Sequence, residues 1–227
     1  MKKKIFALLV CVGVLIVCLT GCGTSIKTDV VNNMADIRYN IFSGQSKGVV
    51  VNLMCGMREN PYIIDGFAKK PVQFGVITAT LSQKPTQPVH YTLTVSKQTF
   101  SGVLEENPYN HTFMVDIEKI VSVTDAVYIT IESVVENLLL VPESEGWAVQ
   151  YDQALDIGIA ALEEKLKTVY EKRKFKAECF LKIVLDQSTT DCPYYWCFGF
   201  NAQNGSKSMV IFDVKTGEIL TEKSTNS

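Results

Sequence analysis

The sequence predicts two small domains in series, the first all-β and the second α+β. Apolar residues alternate with polar ones over residues 42–141, which is the period of half-buried β-strands. Over residues 155–169 the apolar positions recur every three or four residues, as they do along one face of a helix. Alternation then returns in three runs within residues 177–214. We therefore predict a β-sandwich followed by a helix and a three-stranded antiparallel sheet.

The first domain, assigned to residues 41–145, shows the strand period most clearly around Tyr91, Leu93 and Val95, which alternate with threonines. Other candidate strands cover 49–54, 72–81, 100–104, 112–117 and 127–131, with turns at Asn60-Pro61, Lys84-Pro85, Gln87-Pro88 and Asn107-Pro108. About seven strands over about 100 residues, without a helix, are typical of a β-sandwich. In strand spacing the segment resembles an immunoglobulin-like domain, although it lacks the Cys…Trp…Cys pattern of true immunoglobulin domains.

The second domain, assigned to residues 146–227, begins with the predicted helix. Asp152 is placed to cap its start, and the basic cluster of residues 171–174 suits its last turn, where cations meet the negative end of the helix dipole. Three strands follow over residues 177–185, 194–202 and 207–214, with Asn204-Gly205 as a hairpin turn. The apolar stripe that would pack on this sheet consists of Leu155, Ile159, Leu162, Leu166 and Val169.

The closing run Phe212-Asp213-Val214-Lys215-Thr216-Gly217-Glu218-Ile219-Leu220, taken with the helix and the aromatic strand before it, resembles the end of a PepSY domain. The resemblance covers residues 150–221, a third of the chain. It implies a PepSY- or cystatin-like helix-plus-sheet unit in a secreted or membrane-attached protein. It also implies that such a unit binds or restrains peptidases.

The N-terminus has the pattern of a secretory signal, because Lys2, Lys3 and Lys4 precede a short apolar run over residues 5–19. The residues Leu19-Thr20-Gly21-Cys22 that follow resemble the lipobox of bacterial lipoproteins. The resemblance implies that residues 1–21 are removed and that Cys22 is lipidated. The protein would then be anchored at the extracytoplasmic face of the cell membrane. Residues 22–40 are assigned to the lipidated terminus and a linker, because residues 23–37 are rich in polar side chains.

Charge argues against nucleic acid as a partner. Without the three lysines of the signal, the chain has 19 basic and 24 acidic residues, a net charge near −5. Nucleic-acid binding depends on a basic surface that neutralises phosphates. We therefore exclude nucleic acid; the predicted partners are the membrane, through the lipid anchor, and an envelope protein or a peptide.

The cysteines that remain after the signal and Cys22 are Cys55, Cys179, Cys192 and Cys197. They are interpreted either as buried free thiols or as containing one disulfide, formed by Cys192 with Cys197 or by one of these with Cys179. The sequence contains no paired-cysteine motif for zinc or thioredoxin chemistry. No metal or cofactor is predicted, and a calcium site between Asp186 and Asp191 is disfavoured because their spacing does not fit an EF-hand loop.

Alternation on the predicted sheet places Tyr195 on the face away from the helix, beside Phe180 and Val184 of the neighbouring strand. Three interpretations of this apolar face remain open. It could contact the other domain, bind a partner protein, or hold a carbohydrate or small ligand. Phe180, Val184 and Tyr195 are therefore the predicted binding surface.

These observations favour a non-enzymatic, membrane-anchored protein that binds a protein or peptide. One alternative is a cysteine hydrolase centred on Cys55 with His90 or His111 as base, since all three lie in the β-rich segment. Another is a small-solute receptor, although such receptors usually close two α/β lobes on a ligand. No phosphate-binding loop, HExxH or GxSxG motif supports other chemistry.

Overall fold

The computed structural model describes residues 25–96, 98–108, 112–119, 121–186 and 194–225. Within this part the fold is mostly β: a closed eight-stranded antiparallel barrel is extended by four further strands and carries a few short helices. The predicted β-sandwich followed by an α+β unit is therefore wrong. None of the described helices is long and apolar enough to cross a membrane.

The barrel consists of β1 (Met34–Ser46), β2 (Val49–Arg58), β3 (Val72–Leu81), β4 (Val89–Val95), β5 (Gln98–Glu106), β6 (Phe113–Ile117), β7 (Val127–Ile131) and β8 (Val135–Pro142). Around the barrel the order is β1-β2-β3-β6-β5-β4-β7-β8, and β8 pairs back with β1 at Phe42 and Ser43. Six of these eight strands lie close to where the alternation predicts them, whereas β1 and β8 were not among the candidate strands. The error concerns closure, because a sandwich and a barrel both bury alternate residues and differ only in which distant strands pair.

Side chains fill the barrel interior. Eight strands enclose a space that side chains can just fill, so an eight-stranded barrel can have a packed core. The largest fully buried side chains here are those of Phe42, Leu53, Ile77, Leu93, Ile129, Ile131 and Leu140. The interior is therefore a hydrophobic core rather than a ligand channel.

The extension sheet starts from the first half of β1, which pairs in parallel with β11 (Ala177–Leu185) at Ile37 and Leu181. The sheet continues antiparallel through β12 (Tyr194–Ala202), β13 (Lys207–Asp213) and β14 (Ile219–Thr225). The predicted three-stranded sheet thus has four strands of its own and is continuous with the barrel through β1. This continuity overturns the predicted PepSY- or cystatin-like unit.

One face of the extension sheet carries α1 (Ile26–Asn32), α2 (Tyr151–Ala161) and α3 (Glu163–Thr168). The predicted single helix is two helices that meet at Leu162, and its stripe is buried except for the partly buried Ile159. Gln150, not Asp152, is the N-cap of α2 and forms a capping box with Gln153. A 3-10 turn, Glu143–Gly146, precedes α2.

The structure differs from the sequence prediction in two further segments, the predicted last turn of the helix and the predicted linker. Residues 171–174 do not extend the helix: Lys172 and Arg173 have positive φ angles and form the turn between β9 (Tyr170–Glu171) and β10 (Lys174–Phe175). Residues 26–37, interpreted as part of a linker, contain α1 and the start of β1. Val30 and Met34 anchor this segment in the core beneath the helices.

Candidate functional site

The candidate site lies on the face of the extension sheet opposite the helices, which we call the open face. Strand alternation determines which residues it carries, because Ala177, Cys179, Leu181 and Ile183 of β11 all point into the helical core. The open face consequently carries Glu178, Phe180, Lys182, Val184, Tyr195, Cys197, Asn201 and Met209.

The predicted binding residues share this face. Val184 is directly opposite Tyr195 in the β11–β12 ladder, and Phe180 is opposite Gly199 further along the same strands. All three side chains are partly buried. Lys182 lies between Phe180 and Val184 on β11 and separates them with a charged group, which the prediction did not include.

A loop of residues 59–71 between β2 and β3, which we call the strap loop, covers part of the open face. The Gly66 amide donates to the Glu178 carboxylate at 3.2 Å, and Gln203 Nε2 donates to the Gly66 carbonyl oxygen at 3.3 Å. At its base, the backbone amide of Lys69 donates to the carboxylate of Glu59, whose own amide donates to Ala35. These contacts hold the loop against the sheet at several points.

A buried charge cluster lies beneath the strap loop. The carboxylate of Asp36 is fully buried and lies 2.9 Å from Lys182 Nζ and 3.1 Å from Arg38 Nη2. Lys182 Nζ also lies 4.7 Å from the ring centre of Phe180 and 5.1 Å from that of Tyr62, distances at which aromatic faces attract cations. Burial, reinforced by the nearby Asp36 charge, raises the pKa of Tyr62 to about 12. The Tyr62 hydroxyl therefore stays neutral at physiological pH.

Glu178 is the second buried acid of the site and accepts a hydrogen bond from Asn201 Nδ2 at 2.9 Å. Burial raises the pKa of the Glu178 carboxyl, although the hydrogen bonds from Asn201 and from the strap-loop backbone oppose this shift. A neighbouring acid, Glu59, is also buried, and its Oε2 atom has no hydrogen-bond partner among the described residues. Burial, together with the nearby Glu59 carboxyl, therefore favours the protonated form of Glu178 in the folded chain.

This raised pKa predicts a pH dependence of stability. The Glu178 carboxyl binds its proton more tightly in the folded than in the unfolded chain. The protonated carboxyl therefore contributes fully to stability below its unfolded pKa of 4.5. This contribution is lost as pH rises through the raised pKa of the folded chain. We expect the free energy of unfolding, measured by urea titration at successive pH values, to fall across this window in the wild type. The fall should be smaller in Glu178→Gln, whereas Glu105→Gln, at an exposed residue of β5, should retain the wild-type profile.

An apolar groove of about 250 Å³ lies on the open face across β11 to β14. Phe180 and Met209 form its floor, and Lys207 and Lys223 lie at its rim. Gly199 makes this floor possible, because a Cβ atom there would lie 2.6 Å from Cζ of Phe180. The sequence signal for the groove is the glycine between Phe198 and Phe200, and this glycine was not among the predicted binding residues.

A larger cavity of about 750 Å³ lies at the mouth of the barrel, where β1 turns into β2 and β3 leads to β4. Its lining is mixed in character, with charged groups from Lys47, Lys84 and Glu132, the imidazole of His90, and prolines from the β3–β4 loop. Barrel mouths are frequent ligand positions. The sequence alone does not reveal this site, because its residues come from turns that only barrel closure brings together.

The cysteines do not form the predicted hydrolase arrangement within the described residues. Cys55 is fully buried in the barrel core, whereas the side chain of His90 is exposed on β4. Burial raises the pKa of the Cys55 thiol to about 12, so little thiolate forms at neutral pH. Cys179 and Cys197 are free thiols on opposite faces of the extension sheet. Cys192, His111 and Asp191 lie outside the described residues, as does Cys22.

These environments predict slow alkylation of the native protein. At pH 8 a thiol of pKa about 12 has about a thousandfold less thiolate than one at the ordinary value of 9.0. We expect iodoacetamide to leave Cys55 and Cys179 unmodified in the folded chain and to modify both in urea, as measured by peptide mass spectrometry. Rapid native labelling of Cys55 would instead support a cysteine hydrolase.

The described residues contain no group of three or more histidine, cysteine, aspartate or glutamate side chains that could hold a metal ion. The linings of the open-face groove and of the barrel-mouth cavity offer apolar, cationic and hydrogen-bonding contacts to a ligand. No protein-family model, no curated protein and no solved structure matches this chain.

Proposed function

We propose that this chain is a non-enzymatic lipoprotein, tethered at Cys22 to the outer face of the cell membrane, that binds a peptide segment of an envelope protein on its open face. The lipobox-like run Leu19-Thr20-Gly21-Cys22 supports the tether. The observation that carries the binding role is the apolar groove on Phe180 and Met209 between two exposed lysines.

The groove has the size and chemistry for one apolar side chain with acidic neighbours. Apolar surface that the groove removes from water contributes roughly 25 cal/mol per Å² to the binding free energy. The flanking Lys207 and Lys223 favour ligands that carry carboxylates over ligands that carry cations. The groove also lies next to β14, the last strand of the extension sheet, which pairs only with β13 in the described part of the chain. An extended peptide can add to such an edge through main-chain hydrogen bonds.

Photo-crosslinking in native membranes tests this proposal. Met209→p-benzoylphenylalanine places a photoreactive group at the groove floor, and Leu139→p-benzoylphenylalanine places the same group at an exposed position on β8 of the barrel. We expect a defined crosslinked protein from the first variant and none from the second. Reversal of both rim charges, Lys207→Glu with Lys223→Glu, should abolish the crosslink.

An identical crosslink from Leu139, or one that survives charge reversal, would contradict a specific peptide site in the groove. The charge-reversal variant is a suitable control because both lysines are exposed and their replacement leaves the core intact. Its folding can be verified by circular dichroism before the crosslinking experiment.

The barrel-mouth cavity favours a second candidate function, that of a small-solute receptor. Its volume of about 750 Å³ suits a small molecule, and Lys47, His90 and Glu132 supply polar contacts. A solute bound there should raise the melting temperature of the wild type and not that of Lys47→Ala with Glu132→Ala. A solute library that shifts both proteins equally, or neither, would leave the open face as the binding site.

A further inference from the structure

The strap loop exposes large apolar side chains in a fixed conformation. Ile63, Ile64 and Phe67 have 44%, 57% and 54% of their surface exposed. The hydrogen bonds of Gly66 with Glu178 and Gln203 hold the segment between these side chains on the sheet. The fold therefore holds these apolar side chains in solvent, and an exposed apolar patch of this kind indicates a contact with a protein or a membrane.

Two basic segments accompany these apolar side chains. Lys69 and Lys70 follow Phe67 in the strap loop, and the turn of the β9–β10 hairpin contributes a second basic group. The exposed cations of that group are Lys172, Arg173 and Lys174, while the exposed acids in the two segments are Asp65 and Glu171. This surface is therefore locally basic on a chain whose net charge is negative.

The two basic segments belong to one end of the molecule. From the strap loop a chain of hydrogen bonds runs through Gln203, whose side chain binds the Gly66 carbonyl and whose amide donates to Lys176 at 3.0 Å. The Lys176 amide donates in turn to Val169, just before the hairpin. In the hairpin itself, Tyr170 Oη donates to Asp29 of α1 at 2.7 Å.

The tether leads to this same end. Cys22 precedes Ile26, the first residue of α1, by four residues, which span at most about 14 Å when fully extended. With lipid on Cys22, the start of α1 must lie close to the bilayer surface. Because α1 contacts the hairpin through Tyr170, the basic and apolar surface lies near the membrane as well.

We propose that the strap loop and the β9–β10 hairpin dock on an anionic lipid bilayer, with Ile63, Ile64 and Phe67 in the interface and the lysines and Arg173 on the headgroups. This inference rests on the lipid tether of the proposed function. Apolar side chains in the interface and basic residues near an anionic surface each add to the affinity of an anchored domain for the bilayer. Docking would also orient the protein, because the barrel mouth lies at the other end of β2, about 30 Å away.

Tryptophan quenching by brominated lipid tests the orientation in the full lipidated chain. The native Trp147 and Trp196 are buried, so Ile64→Trp reports from the strap loop and Val134→Trp reports from the barrel mouth. In vesicles containing brominated phosphatidylcholine and phosphatidylglycerol, we expect Ile64→Trp to lose about half of the added fluorescence. This expectation follows because interfacial apolar residues reach roughly 5–10 Å into the boundary with the acyl chains. Val134→Trp should not be quenched.

Three results would overturn the docking proposal. Equal quenching of Ile64→Trp and Val134→Trp would show that the protein has no fixed orientation on the bilayer. No quenching of either variant would show that the folded part is held away from the bilayer. Quenching that persists when Lys69→Glu and Lys70→Glu are added, or in vesicles without anionic lipid, would exclude the headgroup contacts. Flotation of the wild type separates the two proposals, because a chain that does not float with vesicles lacks the tether itself.

Discussion

Asp36→Asn is expected to lower the free energy of unfolding by about 3–5 kcal/mol, because breaking a buried ion pair leaves uncompensated charge in the interior. The Asp36 side chain has no exposed surface and pairs with both Lys182 and Arg38. Asparagine keeps the shape of the side chain and removes its charge. The loss should be measurable by urea unfolding at neutral pH.

A double-mutant cycle isolates the Asp36–Lys182 pair. Lys182→Met removes the cation while it keeps an apolar chain against Phe180 and Tyr62. The double variant should then be more stable than the sum of the two single losses predicts. As a control, Lys84→Met breaks the exposed pair with Glu106 and should change stability by less than about 1 kcal/mol. Equal losses for Asp36→Asn and Lys84→Met would mean that water already solvates the cluster.

Gly56→Ala should lower the free energy of unfolding by about 3 kcal/mol or more, because overpacking against rigid backbone is costly. A methyl group at this position would overlap the carbonyl oxygen of Ile37 and lie 2.9 Å from its carbonyl carbon. No side-chain rotation can relieve this overlap, since the neighbour is main chain. The strain would fall where β1 changes from the extension sheet to the barrel, next to its bulge between Arg38 and Asn40.

Gly146→Ala is the matched control, because nothing lies within 4 Å of an added Cβ atom there and its φ angle is not positive. That variant should be as stable as the wild type or slightly more so, since alanine reduces the freedom of the unfolded chain. Chemical denaturation of both proteins measures the difference. If the two variants prove equally stable, β1 and β2 can separate at Gly56 without loss.

Much of the candidate site followed from local pattern. Alternation correctly placed Phe180, Val184 and Tyr195 on one face and the helix stripe on the other, since side-chain direction is a property of the strand itself. The contacts of that face could not be predicted. The ion pair of the open face joins Asp36 to Lys182, and the hydrogen bond that holds the strap loop on this face joins Gly66 to Glu178. The two partners are more than 100 residues apart in each case.

The sequence by itself determined the location of most strands, but not of β1, whose first residues it assigned to a linker. Val72–Leu81, Ala177–Leu185 and Tyr194–Ala202 form within the predicted bounds, because β-branched and aromatic residues at every second position favour a half-buried strand in any sheet. Only the tertiary structure decided that β1 pairs with β2, β8 and β11, and thereby closes a barrel and extends it. The physical reason is that a strand shows which of its faces is apolar, while its hydrogen-bonding edges are the same backbone groups in every strand. The partner of each edge is therefore selected by the packing of the whole chain.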